Sequence, residues 1–370
     1  MGTSRRQFLG LTAAAVGSAA VGITSQASAN ASCRATGTLY LGTYTSQAGG
    51  GTGIGLASYD TVTGRLTSTG VLAGVQDPSF LILSPSGRNL YAVNEQATGG
   101  VTAVAVDSPG RLRVLNRQPN GGSAPCHLAL VANGKYLLSA NYSSGDLAVH
   151  PVKADGSLAA RTDLVKHAGS APHAHQVVQD PTGNYVLAVD LGTDSIYTYT
   201  INLGKLSLKS QATVKAGAGP RHLAFHPNGR YAYVANELDS TIVVCRYDGA
   251  TGKVTPGAAQ TTVPAGSPTN YPGEVIVSPD GRFVYLSNRG HNSVAVFAVE
   301  SGGATLRRIG TPDCGGNWPR HVTLDPTGKL MFVSNQRSNN IATLQVDPHT
   351  GLLSAKASFT APIPVCVLPG

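Results

Sequence analysis

Arginine, glutamate and histidine side chains stand at matched points along this chain, in a combination that could hold a small anion and move a proton. One series reads Pro78-Ser79, Pro125-Cys126-His127, His173-Ala174-His175, Pro220-Arg221-His222, Pro272-Gly273-Glu274 and Pro319-Arg320-His321. A second reads Asn94-Glu95, Asn141-Tyr142, Asp190-Leu191, Asn236-Glu237, Asn288-Arg289 and Asn335-Gln336. Arg221, Arg289 and Arg320 suit a carboxylate or a phosphate, because guanidinium presents a rigid bidentate fork. Glu237 and a histidine could share general acid–base work if their surroundings set their pKa values apart. Three arginines near one glutamate keep it ionised, which leaves a histidine as the proton-transfer group near neutrality.

Positions that vary between copies speak most to function: His173, His175, Arg221, Glu237, Glu274, Arg289 and Arg320. The histidine recurring at 127, 222 and 321 has two readings, as a binding group or as a repeat feature that bonds a neighbouring unit. The repeated asparagine at 94, 141, 236, 288 and 335 reads as structural, capping turn amides within its own repeat. His222, Glu274, Arg320, His321 and His127 complete the candidate substrate-binding set.

These residues can meet only if the fold gathers them. Each series belongs to one phrase, a strand started at Pro, a turn closing on Gly, and a second strand ending in Asn or Asp. The turn glycines are Gly87, Gly134, Gly183, Gly229, Gly281 and Gly328, separated by 46 to 52 residues. A strand-built repeat of that length predicts a β-propeller, in which equivalent points of every repeat converge on a central channel. In the clearest copy, Leu223 and Phe225 alternate as a strand should, and Pro227-Asn228-Gly229 supplies the turn. Residues 231–234 start the return strand, 241–247 form a third, and 254–263 a solvated fourth, making a four-stranded antiparallel blade. The start of the first strand and the end of the second share a face, so both series line one mouth of the channel, a polar concave site for a small molecule.

One copy departs from the rule. Pro181 follows Pro172 by nine residues where most copies have seven, so two residues are inserted beside the channel, next to His173 and His175. The ring also needs a seventh blade. Residues 38–44 resemble a second strand without its first, and residues 364–368 a first strand without its second. Pairing them closes the ring and removes exposed sheet edges. The expected architecture is all-β, a seven-bladed propeller over residues 38–370.

Composition agrees, with 12% charged residues, 45 Gly and 22 Pro in 370 residues and no helical period after residue 30. The net charge of +8 is spread singly, without Lys/Arg runs or interleaved aromatics, which argues against nucleic acid as a partner. Ser4-Arg5-Arg6-Gln7-Phe8-Leu9-Gly10, a short apolar stretch and Ala27-Ser28-Ala29 read as a twin-arginine export signal over residues 1–29, cleaved after Ala29. Residues 30–37 then form a short tail. The translocation machinery is the implied partner, with no stable membrane insertion after cleavage and a place of action outside the cytoplasm. The five cysteines, at 33, 126, 245, 314 and 366, form no CxxC or zinc spacing. Some could pair outside the cytoplasm, leaving at least one free. No nucleophile elbow, Walker loop or dinucleotide fingerprint is present, and residues 48–55 read as a flexible surface loop.

The run Gly219-Pro220-Arg221-His222-Leu223-Ala224-Phe225-His226-Pro227, with Tyr233-Val234-Ala235-Asn236-Glu237-Leu238 and the opening Leu39-Tyr40-Leu41-Gly42-Thr43-Tyr44, resembles the seven-bladed lactonase propellers. That family includes propeller-type 6-phosphogluconolactonases and carboxymuconate cyclases. The resemblance implies interconversion of a lactone and its open acid without metal or organic cofactor. It carries the family's catalytic His, Arg, Glu and Arg onto the His173/His175 segment, Arg221, Glu237 and Arg289. Counting back from the turn prolines puts His175 level with Arg221, whereas spacing in the cyclase branch favours His173. The leading expectation is a secreted lactonase acting on a small lactone, of sugar or sugar-phosphate kind. Alternatives are a non-catalytic extracellular binding propeller and a cycloisomerase of muconate type.

Overall fold

In a computed structural model, which describes residues 35–370, the chain forms seven four-stranded antiparallel sheets. Blades 1 to 6 follow the chain, spanning residues 81–119, 125–166, 174–213, 220–261, 271–310 and 319–360. Blade 7 is composite. Its inner strand Pro364–Pro369 pairs with Thr36–Thr43, which continues into Gly53–Asp60 and Leu66–Ala73. Closure by strands from distant parts of the sequence is therefore as expected, although the first strand begins at Thr36, inside the stretch read as a tail. The export signal, its cleavage site and Cys33 lie outside the described residues.

Burial falls from the channel outward. The second strand of blade 4, Tyr231–Asn236, is buried at all but its first residue, because blades cover both of its faces. The outermost strand of blade 3, Lys205–Thr213, is exposed or half-buried at every position. The hydrophobic core is divided accordingly into clusters that each straddle one seam. Leu187, Val189 and Ile196 of blade 3 meet Leu223, Val234 and Val243 of blade 4. Tyr233 and Ile242 of blade 4 meet Val275, Val284 and Phe297 of blade 5.

The recurring turns are pinned by side chains. Asp180 and Asp325 each accept backbone N–H groups across the turn, from Tyr185 and Leu330 among others. Ser278 Oγ does the same for Phe283 N–H. The six turn glycines all have φ between 68° and 77°, a left-handed conformation that glycine adopts without a Cβ clash. Cys126, Cys245, Cys314 and Cys366 are buried free thiols, so no disulfide ties the described residues together through them.

Candidate functional site

A β-bulge next to the channel determines what each blade offers there. In blade 4 Pro220 pairs with Asn236 and His222 with Ala235, which leaves Arg221 unpaired between them. The same irregularity isolates Cys126 in blade 2, His175 in blade 3 and Arg320 in blade 6. A bulge re-aims the extra residue, and here it separates two layers of side chains. The register answers one open question directly, because Ala174 stands opposite Asp190 as Pro220 stands opposite Asn236. His175 is the structural equivalent of Arg221, and the two inserted residues precede Ala174. In blade 5 the bulge holds Gly273, where a Cβ would lie 2.6 Å from Ser287 Oγ.

The upper layer encloses a cavity of about 250 Å³ lined by Tyr44, Glu95, Cys126, Tyr142, His175, Glu237, Arg289 and Arg320. On one side Glu237 Oε2 lies 2.7 Å from Arg289 Nη2 and 3.1 Å from Arg221 Nε. The second contact is off the line of a hydrogen bond and acts by charge alone; Arg221 Nη1 is also buried without an acceptor. Arg289 is fixed by donating to the Tyr271 and Pro272 carbonyls, and its guanidinium stands 5.8 Å from the Trp318 ring. On the other side Tyr44 Oη and Ser79 Oγ donate to Glu95 Oε2. Arg320 stands over the Tyr44 ring at 5.7 Å and has no side-chain hydrogen bond or ion pair within the described residues. Its donors are free for a ligand.

Charge follows from these contacts. Burial opposes ionisation of Glu237, but Arg289 and Arg221 outweigh it and hold the carboxyl below its usual range. Burial and the neighbouring Arg221 push Arg289 down to about 9, still protonated at neutral pH. Burial lowers His175 well below an ordinary histidine, with Arg221, His222 and the other two arginines adding to the effect. His175 is thus a neutral imidazole beside an ionised, arginine-clamped glutamate. Burial raises the Cys126 thiol, which marks it as an unreactive wall rather than a nucleophile.

Six of the residues expected at the mouth do not line this cavity. Arg221 lies beneath it, buried behind Glu237. His222, Glu274, His321 and His127 form the lower layer, one residue past each bulge, where side chains turn to the next blade rather than to a ligand. His222 Nδ1 lies 2.8 Å from Glu274 Oε1, and His321 Nε2 lies 3.7 Å from Glu274 Oε2. His127 stacks on Phe80, with ring centroids 4.1 Å apart. The recurring histidines at 222 and 321 therefore do bond neighbouring blades. His173 stacks on Tyr142 at 4.5 Å and bonds the Tyr142 carbonyl at 2.9 Å, so it packs the inserted loop while His175 reaches the cavity. The repeated asparagines mostly donate to carbonyls of the segment that leads into their own blade and to side chains, as Asn94 does to Gln76 O and Asn288 to Thr262 O, instead of capping amides.

Tyr44, Glu95, Tyr142 and Cys126 are cavity residues that the candidate set lacks. Glu95 carried a readable signal, since Asn94-Glu95 repeats the Asn236-Glu237 step. Among the described residues no group of three or more His, Cys, Asp or Glu is arranged to hold a metal ion. A larger groove of about 360 Å³, where blade 7 meets blade 6, is lined by Leu41, Leu56, Val71, Phe359 and several glycines, with no ionisable side chain. Acid–base chemistry has its groups in the smaller cavity.

Comparison with known proteins agrees with this architecture. The family model "Lactonase, 7-bladed beta-propeller" matches residues 38–369. A 6-phosphogluconolactonase of Bacillus subtilis is 36% identical over 339 residues, covering 89% of this chain and 97% of the relative. The structure of a periplasmic gluconolactonase from Pseudomonas aeruginosa superposes with a TM-score of 0.86 at 30% identity, covering 90% of this chain and 99% of that one. A protein from Lactobacillus plantarum does so with a TM-score of 0.85 at 35% identity, covering 90% and 99%.

Proposed function

The chain belongs to the seven-bladed β-propeller lactonase family, and on that premise we propose that it hydrolyses a sugar lactone to its hydroxy acid outside the cytoplasm. The observation that supports this most is the neutral His175 facing the same small cavity as Arg289, Arg320 and the ionised Glu237. His175 takes a proton from water, and the resulting hydroxide adds to the lactone carbonyl carbon. The tetrahedral oxyanion is held by the half-buried Arg320 and the buried Arg289, cations whose interaction strengthens as negative charge develops. Collapse breaks the ring C–O bond, and the alkoxide takes the proton back from His175. Glu237 keeps the Arg289 guanidinium in place, and Arg221 underpins Glu237.

Three guanidinia, Arg221, Arg289 and Arg320, face two carboxylates, Glu237 and Glu95, which leaves one positive charge over for a product with one carboxylate. That balance favours an unphosphorylated lactone over a phosphorylated one, as do the export signal and the likeness to a periplasmic gluconolactonase. Proton release in a pH-stat, with glucono-1,5-lactone and its 6-phosphate, tests the reading. His175→Ala and Arg320→Ala should each lower turnover of the unphosphorylated lactone by roughly 100-fold; unchanged turnover in both would remove this site from the reaction. Replacing Arg5 and Arg6 with lysine should retain the protein in the cytoplasm on cell fractionation.

A further inference from the structure

Beneath the cavity, two imidazoles and a carboxylate stand in series. His175 Nδ1 is 3.1 Å from His222 Nε2, and His222 Nδ1 is 2.8 Å from Glu274 Oε1. We infer that Glu274 and His222 are positioning residues, which fix the tautomer of His175 so that its Nε2 meets the cavity as a proton acceptor. The inference rests on the lactonase reading for the use of that nitrogen, but not for its protonation state.

A carboxylate only accepts, so His222 must carry its proton on Nδ1. His222 Nε2 is then a lone pair and requires a proton on His175 Nδ1. One nitrogen of a neutral imidazole remains, His175 Nε2, and it is bare. A second approach to Glu274 has the same sense. The Val367 N–H donates to His321 Nδ1 at 3.4 Å, which places the His321 proton on Nε2, toward Glu274 Oε2. Glu274 therefore sits between two imidazole N–H groups, and its own backbone N–H donates to Ser287 Oγ at 2.9 Å.

The spacing of the two rings is locked as well. Gln176, next to His175, accepts from Leu223 N–H at 2.7 Å and donates to the Leu223 carbonyl at 3.2 Å, next to His222. This two-way amide clamp joins blades 3 and 4 immediately beside the pair of imidazoles. Of the three recurring lower-layer histidines, His222 bridges a carboxylate and a second imidazole. His127 Nδ1 is buried without a partner, and His321 Nδ1 is bonded to backbone. When His175 Nε2 takes a proton, the cation formed is stabilised through His222 by the Glu274 carboxylate.

The test is Glu274→Gln in the full chain, with His222→Gln as a second variant should the first fail to fold. Nitrogen-15 correlation spectra of histidine-labelled protein report the tautomer without reference to activity. Wild-type His175 should show Nδ1 protonated and Nε2 bare, and Glu274→Gln should mix in the opposite tautomer, because an amide can donate to His222. With glucono-1,5-lactone, kcat should fall by roughly 100-fold with KM within about twofold. The acid limb of the kcat profile should also move to lower pH. The titratable and charged groups around His175 are Arg221, Arg289, Arg320, Glu237, Glu95, His222, Tyr142 and Cys126, all left in place by Glu274→Gln. A wild-type His175 protonated on Nε2, or a variant with unchanged tautomer and acid limb, overturns the relay. The predicted tautomer in a protein with no lactone turnover overturns the lactonase reading and leaves the relay standing.

Discussion

Glu95 and Glu237 occupy the same step of the repeat, each directly after the asparagine that ends a second strand, yet the cavity uses them in opposite ways. Around Glu237 the bulge supplies Arg221 and the next blade supplies Arg289, so the carboxylate is spent on two guanidinia. Around Glu95 the segment leading into blade 1 supplies Ser79 and the preceding blade supplies Tyr44, so the carboxylate is met by two hydroxyls. The fold offers equivalent positions, and the two residues that surround each one decide between an ion cluster and a hydroxyl-lined wall. A hydroxyl-lined wall with a spare carboxylate oxygen suits the hydroxyls of a sugar, whereas a clamped ion cluster beside a neutral histidine suits bond breaking.

That contrast can be broken in order of expected effect. Arg320→Ala removes the cavity's unpaired cation and should lower kcat/KM by roughly 100- to 1,000-fold, read from steady-state lactone hydrolysis. Glu237→Gln leaves two buried guanidinia without their counter-charge. It should cost about 3 kcal/mol in urea denaturation, besides its effect on turnover. Acid should act next, through His175 and the lower-layer histidines. His175, His222, His127 and His321 are all held below the ordinary histidine pKa by burial first and then by neighbouring cations. They remain neutral in the fold while the unfolded chain takes up protons below about pH 6.5. The histidine contribution to stability should therefore be constant above about 6.5 and fall below it, by up to about 1.4 kcal/mol per pH unit for each such histidine. Glu237, held below its unfolded value, adds to the loss only in the range below about 4.5. A urea midpoint that does not change between pH 7.5 and 5 would contradict the neutral lower layer. Glu95→Gln should be mildest, because its hydroxyl partners keep an acceptor. KM for a polyhydroxy lactone should rise about fivefold, with kcat and stability nearly unchanged. An equal effect at Glu95 and Glu237 would erase the distinction between the two halves.

The ring was legible because its signals are local and repeated: turn glycines at one period, alternating apolar strands, and unpaired half-blades at either end of residues 38–368. The level of His175 with Arg221 was legible for the same reason, since counting from Pro181 and Pro227 survives the insertion. The layering was not. Alternation in a strand says which residues share a face, but a bulge inserts one unpaired residue and moves everything after it. Arg221 and His222 therefore look like equal neighbours in sequence while they serve different layers. Tyr44 was hidden because it belongs to the composite blade, where Thr43 stands in place of the marker asparagine. The His167–Asp190 contact, 2.6 Å between buried groups, was hinted at only by aspartate replacing asparagine in blade 3. Asp190 also accepts from His173 N–H, and so anchors the inserted loop beside the cavity.

The composite blade also has a consequence in time. Thr43 Oγ1 donates to the carbonyl of Pro362, 319 residues away, within the same closure that pairs Thr36–Thr43 with Pro364–Pro369. At synthesis rates of about 5–20 residues per second, the first strand waits roughly 16 to 60 seconds for its inner partner. Blades can stack one by one during that interval, but the ring stays a spiral with a bare edge at its beginning. The cavity needs Tyr44 from the first blade strand and Arg320 from the sixth blade, so it comes into being only at closure. A nascent chain carries His175 and Glu237 long before it carries the site.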